Sequence, residues 1–307
     1  MQPIISVITC THNPRKDYFD RVLNALRFQN LPYEKWEFLL VDNASDHCLK
    51  AEFDLKWHPL SKYIREEKLG LTQARLCGIE AAKGKILVFV DDDNVLDQNY
   101  LSIVLEIGQS YKLLGAWGGQ CLPVFEVNPP DWTRPYWTYL GIRSFDKDDF
   151  STSPQWQTTP IGAGLCVRKM VAKTYAELVK TDPIRSSFDR RGDMLLGCGD
   201  MDLAYTACDM SLANGVFVDL KLSHLMSPQR LTEPYLLKLV EESVYSTVML
   251  NFIRGSFSKK LSLGMKLKQA IPIYFLPNAW LPASRERKFY KAMVRGHKRG
   301  IKEILKC

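Results

Sequence analysis

The sequence predicts an α/β fold: a mostly parallel sheet with flanking helices, followed by a helical, basic C-terminal tail. Three observations carry this. Strand-like and helix-like segments alternate through the first half of the chain, the βαβα order that favours parallel pairing with helices on both faces. Three strand-like runs end in polar clusters, Thr11-His12-Asn13, Asp42-Asn43 and Asp91-Asp92-Asp93, and in a parallel sheet such ends lie side by side. From Gly255 to Cys307 there are 13 Lys/Arg against two Glu. The whole chain carries +7, so the preceding 254 residues carry −4.

Taken in order, Ile4–Cys10 reads as a β-rich first strand and Asp17–Phe28 as a helix with an apolar stripe at Phe19, Val22, Leu23 and Leu26. Trp36–Val41 is a second strand and Tyr63–Arg65 a short third. Thr72–Lys83 is a helix, with Thr72 as its expected N-cap and Gly84 as its stop. Ile86–Val90 is a continuous apolar run, the signature of a fully buried strand, and Leu101–Leu114 is a further helix. Between Cys121 and Pro160 six prolines and five Trp/Tyr residues break the pattern, as expected of a functional loop or lid. Regularity returns with Ile161–Val167, a helix near Lys169–Val179, a helix over Asp200–Ala213, a strand at Val216–Leu220 and a long helix over Glu233–Ile253. The expected division is 1–227 as the catalytic unit (1–120 and 121–227 as its halves), with 228–307 as the helical extension.

With 307 residues and 46% hydrophobic content the chain can build one large or two modest cores. Apolar runs stay too short for a transmembrane helix, Ile271–Leu276 in the tail included. The N-terminal apolar stretch lacks a basic leader and reads as a strand rather than a signal peptide. The eight cysteines are scattered with no Cys-x-x-Cys pair, which argues for reduced thiols and a cytoplasmic protein.

Asp91-Asp92-Asp93 is the most telling cluster. Three adjacent carboxylates repel one another and give a strand end no stability of their own. A hard divalent cation such as Mg²⁺ or Mn²⁺ would reconcile them. In the shared crevice Asp42 and Asn43 suit the edge of a nucleobase, one Asp of the triplet suits a ribose, and a metal on another suits a diphosphate. Arg75, in the first turn of its helix, would add positive charge. No Gly-x-Gly-x-x-Gly follows the first strand and no Gly-x4-Gly-Lys-Ser/Thr occurs, so neither a dinucleotide dehydrogenase nor a P-loop nucleotidase is indicated.

These residues resemble the family 2 glycosyltransferases of the GT-A fold. Ser6-Val7-Ile8-Thr9-Cys10-Thr11-His12-Asn13 is similar to their opening S-V-I-I-P-T-Y-N, and Val41-Asp42-Asn43-Ala44-Ser45 to V-D-[DN]-x-S. Gly70 to Arg75 resembles the G-x-x-x-A-R helix start, Asp91-Asp92-Asp93 takes the D-x-D place, and Gly162-Ala163-Gly164 the small-residue segment. Gly199-Asp200 falls where many relatives carry Glu-Asp and some Gly-Asp. The likeness covers roughly residues 1–225. It implies that Thr11 and His12 line the nucleobase pocket with Asp42 and Asn43 at the base edge. It places Asp92 at the ribose, Asp93 at the metal with Asp91 in support, and Arg75 at the base or diphosphate. Asp200 is the implied general base, with Asp202 the alternative, and His224 a late metal ligand. The implied reaction is inverting transfer of a sugar from a nucleotide-diphosphate sugar, UDP-linked by preference, to a hydroxyl of a glycan or lipid-linked acceptor in polysaccharide biosynthesis.

In the tail, Phe289, Met293, Ile301 and Leu305 share one helical stripe, interrupted by His297 and surrounded by Lys/Arg. An amphipathic helix of that kind is expected to touch a membrane surface, here through 256–307 at the inner face of the plasma membrane. No nucleic-acid module accompanies it, so nucleic acid is not expected as a partner. Trp132 to Trp137 with Trp156 either stack on sugar rings or form a satellite core. Two rival functions stand beside the leading one: a catalytically degenerate sugar-nucleotide-binding scaffold, and a sugar-phosphate nucleotidyltransferase, which would need a Gly-rich basic loop where Thr11-His12-Asn13-Pro14 stands.

Overall fold

The computed structural model describes residues 2–256 and 284–306. Inside the sheet lies β1 (Ile5–Thr11), between β2 and β4 with all seven residues buried, as a strand covered on both faces requires. Helix α1 (Lys16–Arg27) buries Phe19, Val22, Leu23 and Leu26, the stripe read from the sequence. β2 (Trp36–Asn43) lies parallel to β1. After the single turn α2 (Leu49–Glu52), β3 (Ser61–Glu66) adds parallel to β2. Helix α3 (Leu71–Ala81) leads to β4 (Ile86–Phe89), parallel to β1 on its other side.

The order β3-β2-β1-β4 reverses direction at β1. Ligands in such sheets bind beyond the carboxyl ends of the strands at that reversal. Thr11 ends β1 and the Asp triplet follows β4 directly, so the two flank the same crevice.

Beyond β4 the sheet is mixed. The remaining elements are β5 (Asn94–Leu96), α4 (Tyr100–Ser110), β6 (Leu114–Phe125), a 3-10 helix (Asp131–Leu140), β7 (Asp149–Ser151) and β8 (Cys166–Arg168). They continue with α5 (Lys169–Thr181), α6 (Pro183–Ser186), α7 (Gly199–Asp209), β9 (Ala213–Met226), α8 (Glu233–Ile253) and α9 (Arg285–Ile304). β8 runs antiparallel to both β4 and β6, β9 runs parallel to β6, and β5 and β7 pair antiparallel with β9. Parallel pairing therefore holds for the first four strands, and the second half departs from it.

Several boundaries differ from expectation. Thr72 is not the N-cap of α3: Gly70 is, at φ +142, and the Thr72 hydroxyl instead donates 2.8 Å to the Phe188 carbonyl. Leu114 opens a strand rather than closing a helix. The stretch from 121 to 160 contains the end of β6, the 3-10 helix and β7.

Two apolar clusters sandwich the sheet. One gathers Phe19, Trp36, Phe38, Tyr100 and Trp117, the other Leu39, Ile79, Leu165, Tyr175 and Leu203. A third, separate cluster joins the 3-10 helix to α8 and α9 through Tyr136, Leu140, Leu236, Leu239, Val240 and Phe289. The Tyr136 and Phe289 rings stack at 3.7 Å between centroids, and Arg285 lies 4.2 Å over the Trp132 ring. The aromatic segment 132–139 is thus largely a satellite core, while Trp156 is 46% exposed beneath Arg143.

This packing corrects the reading of the tail. The stripe of α9 is turned inward: Phe289, Ala292, Gly296, His297 and Gly300 are buried, so His297 belongs to the packed face rather than interrupting it. Only Leu305 at its end remains strongly exposed. The part of the 256–307 expectation that falls on residues 257–283, Ile271–Leu276 included, lies outside the described residues. No helix among the described residues is long and apolar enough to cross a membrane. The seven described cysteines are all free thiols.

Candidate active site

The Asp triplet sits at the mouth of β4, with Asp91 and Asp92 half-buried and Asp93 buried. The Thr11 hydroxyl donates to Asp92 Oδ2, tying the end of β1 to the triplet across the crevice. Asp93 Oδ1 accepts from Asn94 Nδ2 at 2.8 Å, and its Oδ2 accepts from Arg230 Nη2 at 2.7 Å. His224 faces Asn94 in the β5–β9 ladder, which places its Nε2 3.4 Å from Asp93 Oδ2 and 3.0 Å from Arg230 Nη1. A guanidinium only donates, so Nε2 accepts from Arg230. The other ring nitrogen, 3.5 Å from Cys121 Sγ, then carries the proton.

Electrostatics divide the three carboxylates. Burial alone would raise Asp93, but the Arg230 guanidinium overrides it and holds the group well below the usual carboxylate range. Burial and the adjacent Asp93 charge push Asp92 up to about 7, against the Thr11 hydrogen bond. Asp91 is raised by burial, with Arg75 opposing. The triplet is therefore short of positive charge on its Asp91–Asp92 side.

That shortage is the test of a divalent ion. Carboxylate oxygens and a neutral imidazole are a donor set suited to Mg²⁺ or Mn²⁺. As the side chains stand, no cluster of three or more His, Cys, Asp or Glu among the described residues is arranged to hold a metal. The physical reason is Arg230: its guanidinium already takes the lone pairs of Asp93 and His224 that a cation would use. The expectation that Asp93 and His224 are the metal ligands thus meets a resident cation. Asp91 and Asp92 remain the carboxylates without a cationic hydrogen-bond partner among the described contacts.

The end of β2 is built differently from the expected base-edge reader. Asp42 is fully buried: Oδ2 accepts from Tyr63 Oη at 2.5 Å and Arg65 Nη1 at 2.8 Å, and Oδ1 from the Ser45 N–H at 3.0 Å. Burial works against its charge, but these donors win and keep it ionised. Asn43 donates to the Glu66 and Lys68 carbonyls and accepts from the Gly70 N–H. All of its amide is committed to backbone, which staples β2 to the start of α3. His12 is exposed, with Nδ1 2.8 Å from the Asn43 carbonyl oxygen. Of this group His12 offers the accessible side chain, while Asp42 and Asn43 shape the wall behind it.

Opposite lies Asp200, in the first turn of α7. Its Oδ2 accepts from the Gly162 N–H at 2.6 Å and its Oδ1 from the Met201 N–H at 2.8 Å. The helix N-terminus favours a carboxylate there. A Cβ at Gly162 would come within 2.8 Å of Arg75 Nη2 and 3.2 Å of Asp200 Oδ2, so either side chain would have to move to admit it. Arg75 is 5% exposed and pairs with Asp189 at 2.9 Å. Burial works against its charge, and Asp189, Asp91 and Asp200 restore it. Arg75 thus stands among carboxylates of the triplet side and of α7 rather than on an open surface. Asp202, the alternative base, is completely buried and held by Arg185 at 2.8 Å and Arg254 at 2.6 Å. It ties α6, α7 and the end of α8 together, away from solvent.

Three participants escaped the sequence reading: Arg230, Asp189 and the Tyr63–Arg65 pair on Asp42. Tyr63 and Arg65 alternate on a strand beside β2, a pattern that could have flagged them. Arg230 lies in a short 3-10 turn, Pro228–Leu231, and Asp189 in an irregular segment, neither with such a signal.

Comparison with known proteins fits this geometry. A model of the glycosyl transferase family 2 matches residues 6–170, more than half of the chain. The chain is 35% identical over 102 residues to glycosyltransferase AglE of Haloferax volcanii, covering 32% of this chain and 33% of that one. It is 27% identical over 136 residues to the putative teichuronic acid biosynthesis glycosyltransferase TuaG of Bacillus subtilis, covering 42% and 52%. The matches span about a third to a half of these relatives' length. Among solved structures, the mannosyltransferase PcManGT of Pyrobaculum calidifontis with GDP-Man and Mn²⁺ superposes with a TM-score of 0.54 at 19% identity, covering 98% of this chain and 76% of that one. S. aureus TarS 1–349 with UDP-GlcNAc gives 0.52 at 15%, covering 98% and 89%. At such identities these two show the shared fold, a mixed sheet with flanking helices of the GT-A kind. The strand ends, the Asp triplet and the matched span together place this chain in glycosyl transferase family 2.

Proposed function

We propose that the protein is a metal-dependent, inverting glycosyltransferase that moves a sugar from a nucleotide-diphosphate sugar to a hydroxyl of a glycan or glycolipid. The observation that carries this reading is the gathering of Asp91 and Asp200 about the buried Arg75, with the Thr11–Asp92 bond beside Asp91. His12 and Thr11 border the base, and Asp92 serves the ribose or the ion. A Mn²⁺ or Mg²⁺ ion bound to the triplet would neutralise the leaving diphosphate as a Lewis acid. Arg230, fixed by Asp93, adds a permanent positive charge on the other side of the triplet.

Asp200 accepts the proton of the acceptor hydroxyl as the new bond forms; a carboxylate of ordinary basicity does this in concert with attack rather than beforehand. Residues 1–227 form the catalytic unit, and α8 and α9 close its 3-10 segment. A uridine donor is favoured, since family members most often use it. TuaG is named for teichuronic acid biosynthesis, which supports a polysaccharide acceptor, and a cytoplasmic enzyme peripheral at the inner face of the plasma membrane suits that role. There the exposed Lys291, Lys298 and Lys302 of α9, rather than its buried stripe, meet anionic lipid.

Incubation with UDP-, GDP-, dTDP- and CDP-sugars and Mn²⁺ tests the proposal. Slow release of nucleoside diphosphate is the expected result. Pyrophosphate from an NTP and a sugar phosphate would mark a nucleotidyltransferase instead, and tight binding with no release a scaffold.

A further inference from the structure

Gly199 opens α7 with no side chain, yet the space beside it is filled. A Cβ built there would lie 2.6 Å from Asp189 Cγ and 2.8 Å from its Oδ1. Asp189 is 4% exposed and holds a left-handed backbone, φ +68, which a residue with a side chain adopts only at a cost. Strain of this sort persists where the surroundings fix it, and it gathers at functional sites.

What fixes Asp189 is two donors, one from each of two helices, with the Thr72 hydroxyl close by. Its Oδ1 accepts from the Gly199 N–H at 2.9 Å, satisfying one of the open donors at the start of α7. Its Oδ2 accepts from Arg75 Nη1 at 2.9 Å and lies 3.3 Å from the Thr72 hydroxyl, both on α3. Pinned through Nη1, the guanidinium presents Nη2 at Gly162, where Asp200 Oδ2 accepts the backbone N–H. The carboxylate thus links α3 to α7 directly behind Asp200.

We propose that Asp189 is a positioning residue: seated where a side chain of residue 199 would go, its carboxylate locks Arg75 and the first turn of α7 so that Asp200 faces the crevice. The assignment rests on Asp200 as the base in the function proposed above. Asp189 itself touches no substrate. Gly199 and Asp189 are then one unit, the first vacating the volume that the second fills.

Five variants test this, with UDP-GlcNAc and GDP-mannose in Mn²⁺ as probes, nucleotide release as turnover and calorimetry with UDP and GDP as binding. Asp189→Asn should lower kcat about 10²-fold, the loss expected from a small misplacement of a catalytic group, with donor KM and nucleotide affinity within about twofold. Gly199→Ala should lose both melting temperature and turnover, and adding Asp189→Ala should recover the melting temperature. Asp189→Ala with Gly199→Glu, which returns a carboxylate from the other side, should recover most of the turnover that Asp189→Ala loses. Wild-type turnover in Asp189→Asn, or a raised KM with unchanged kcat, would overturn the proposal. So would a carboxylate-restored variant that melts like wild type yet stays as slow as Asp189→Ala. If wild type releases nucleotide from neither donor, the catalytic reading fails for these donors. The seating of Asp189 is then judged by melting alone, and purely additive losses for Gly199→Ala and Asp189→Ala would refute it.

Discussion

Arg230 donates from Nη2 to Asp93 Oδ2 across 2.7 Å, joining two residues 137 positions apart. The same guanidinium lies 3.0 Å from His224 Nε2, so one fixed cation satisfies the two groups that sequence reasoning had assigned to a metal. The site carries a permanent positive charge on one side of the triplet and a deficit on the other.

Replacing Arg230 by Met removes that charge and its donors while keeping an unbranched, though shorter, side chain. Nucleoside diphosphate affinity in Mn²⁺ is expected to fall about tenfold, near 1.4 kcal/mol. Affinity for Mn²⁺ alone should hold or rise, because Asp93 and His224 are released to bind it. Calorimetry for the nucleotide and electron paramagnetic resonance for the ion separate the two effects. Weaker Mn²⁺ binding would show that Arg230 supports the ion rather than the diphosphate.

Asp200 and Asp202 are two residues apart but differ in kind. Asp200→Asn is expected to abolish transfer while nucleotide binding and melting stay near wild type. Asp202→Asn should instead destabilise the fold by about 3–5 kcal/mol, the cost of stranding Arg185 and Arg254 in a buried pair. Urea unfolding and turnover, measured on both variants, read the difference.

His58 makes stability depend on pH. It is 1% exposed among Tyr33, Trp36 and Trp57, and burial pushes its pKa from 6.5 down to about 4. The unfolded chain therefore takes up the proton first as pH falls. Stability from this group is complete above pH 6.5 and is lost progressively toward pH 4, in total about 3 kcal/mol. Urea midpoints at pH 7 and pH 4.5 should show the fall, and His58→Phe should flatten it. An equal slope in that variant would assign the acid sensitivity elsewhere.

Phe289 holds α9 to the 3-10 segment. Phe289→Ala is expected to cost about 3–5 kcal/mol in local stability, seen as early amide exchange in α9 and in residues 131–140 together. Exchange rising in α9 alone would mean that the Tyr136 stack adds nothing.

Much of this architecture was legible because it depends on local pattern. β1, β2 and β4 are fully buried runs ending in polar residues, and α1 shows its stripe openly. Asp91, Asp92 and Asp93 announce themselves by mutual repulsion. Legibility failed where side chains from distant segments meet. Nothing near Arg230 signals a partner at Asp93, and nothing near Asp189 signals the gap left by Gly199. Thr72 was misread because an N-cap and a hydroxyl reaching across to Phe188 look alike in sequence. Asn43 sits in a polar cluster either way, and only its three backbone partners reveal that its amide is spent. The stripe of α9 was visible, but an amphipathic pattern does not say which apolar surface it meets.

The third hydrophobic cluster shares none of its buried members with the two that clamp the sheet. Its footing on the sheet is narrow, Met226 at the end of β9 with Phe125 of β6 packed beside it. Substitutions among Tyr136, Leu239 and Phe289 therefore reach the strands only at those two ends, and descendants of this chain can remodel this side of the molecule while keeping most of the sheet's core.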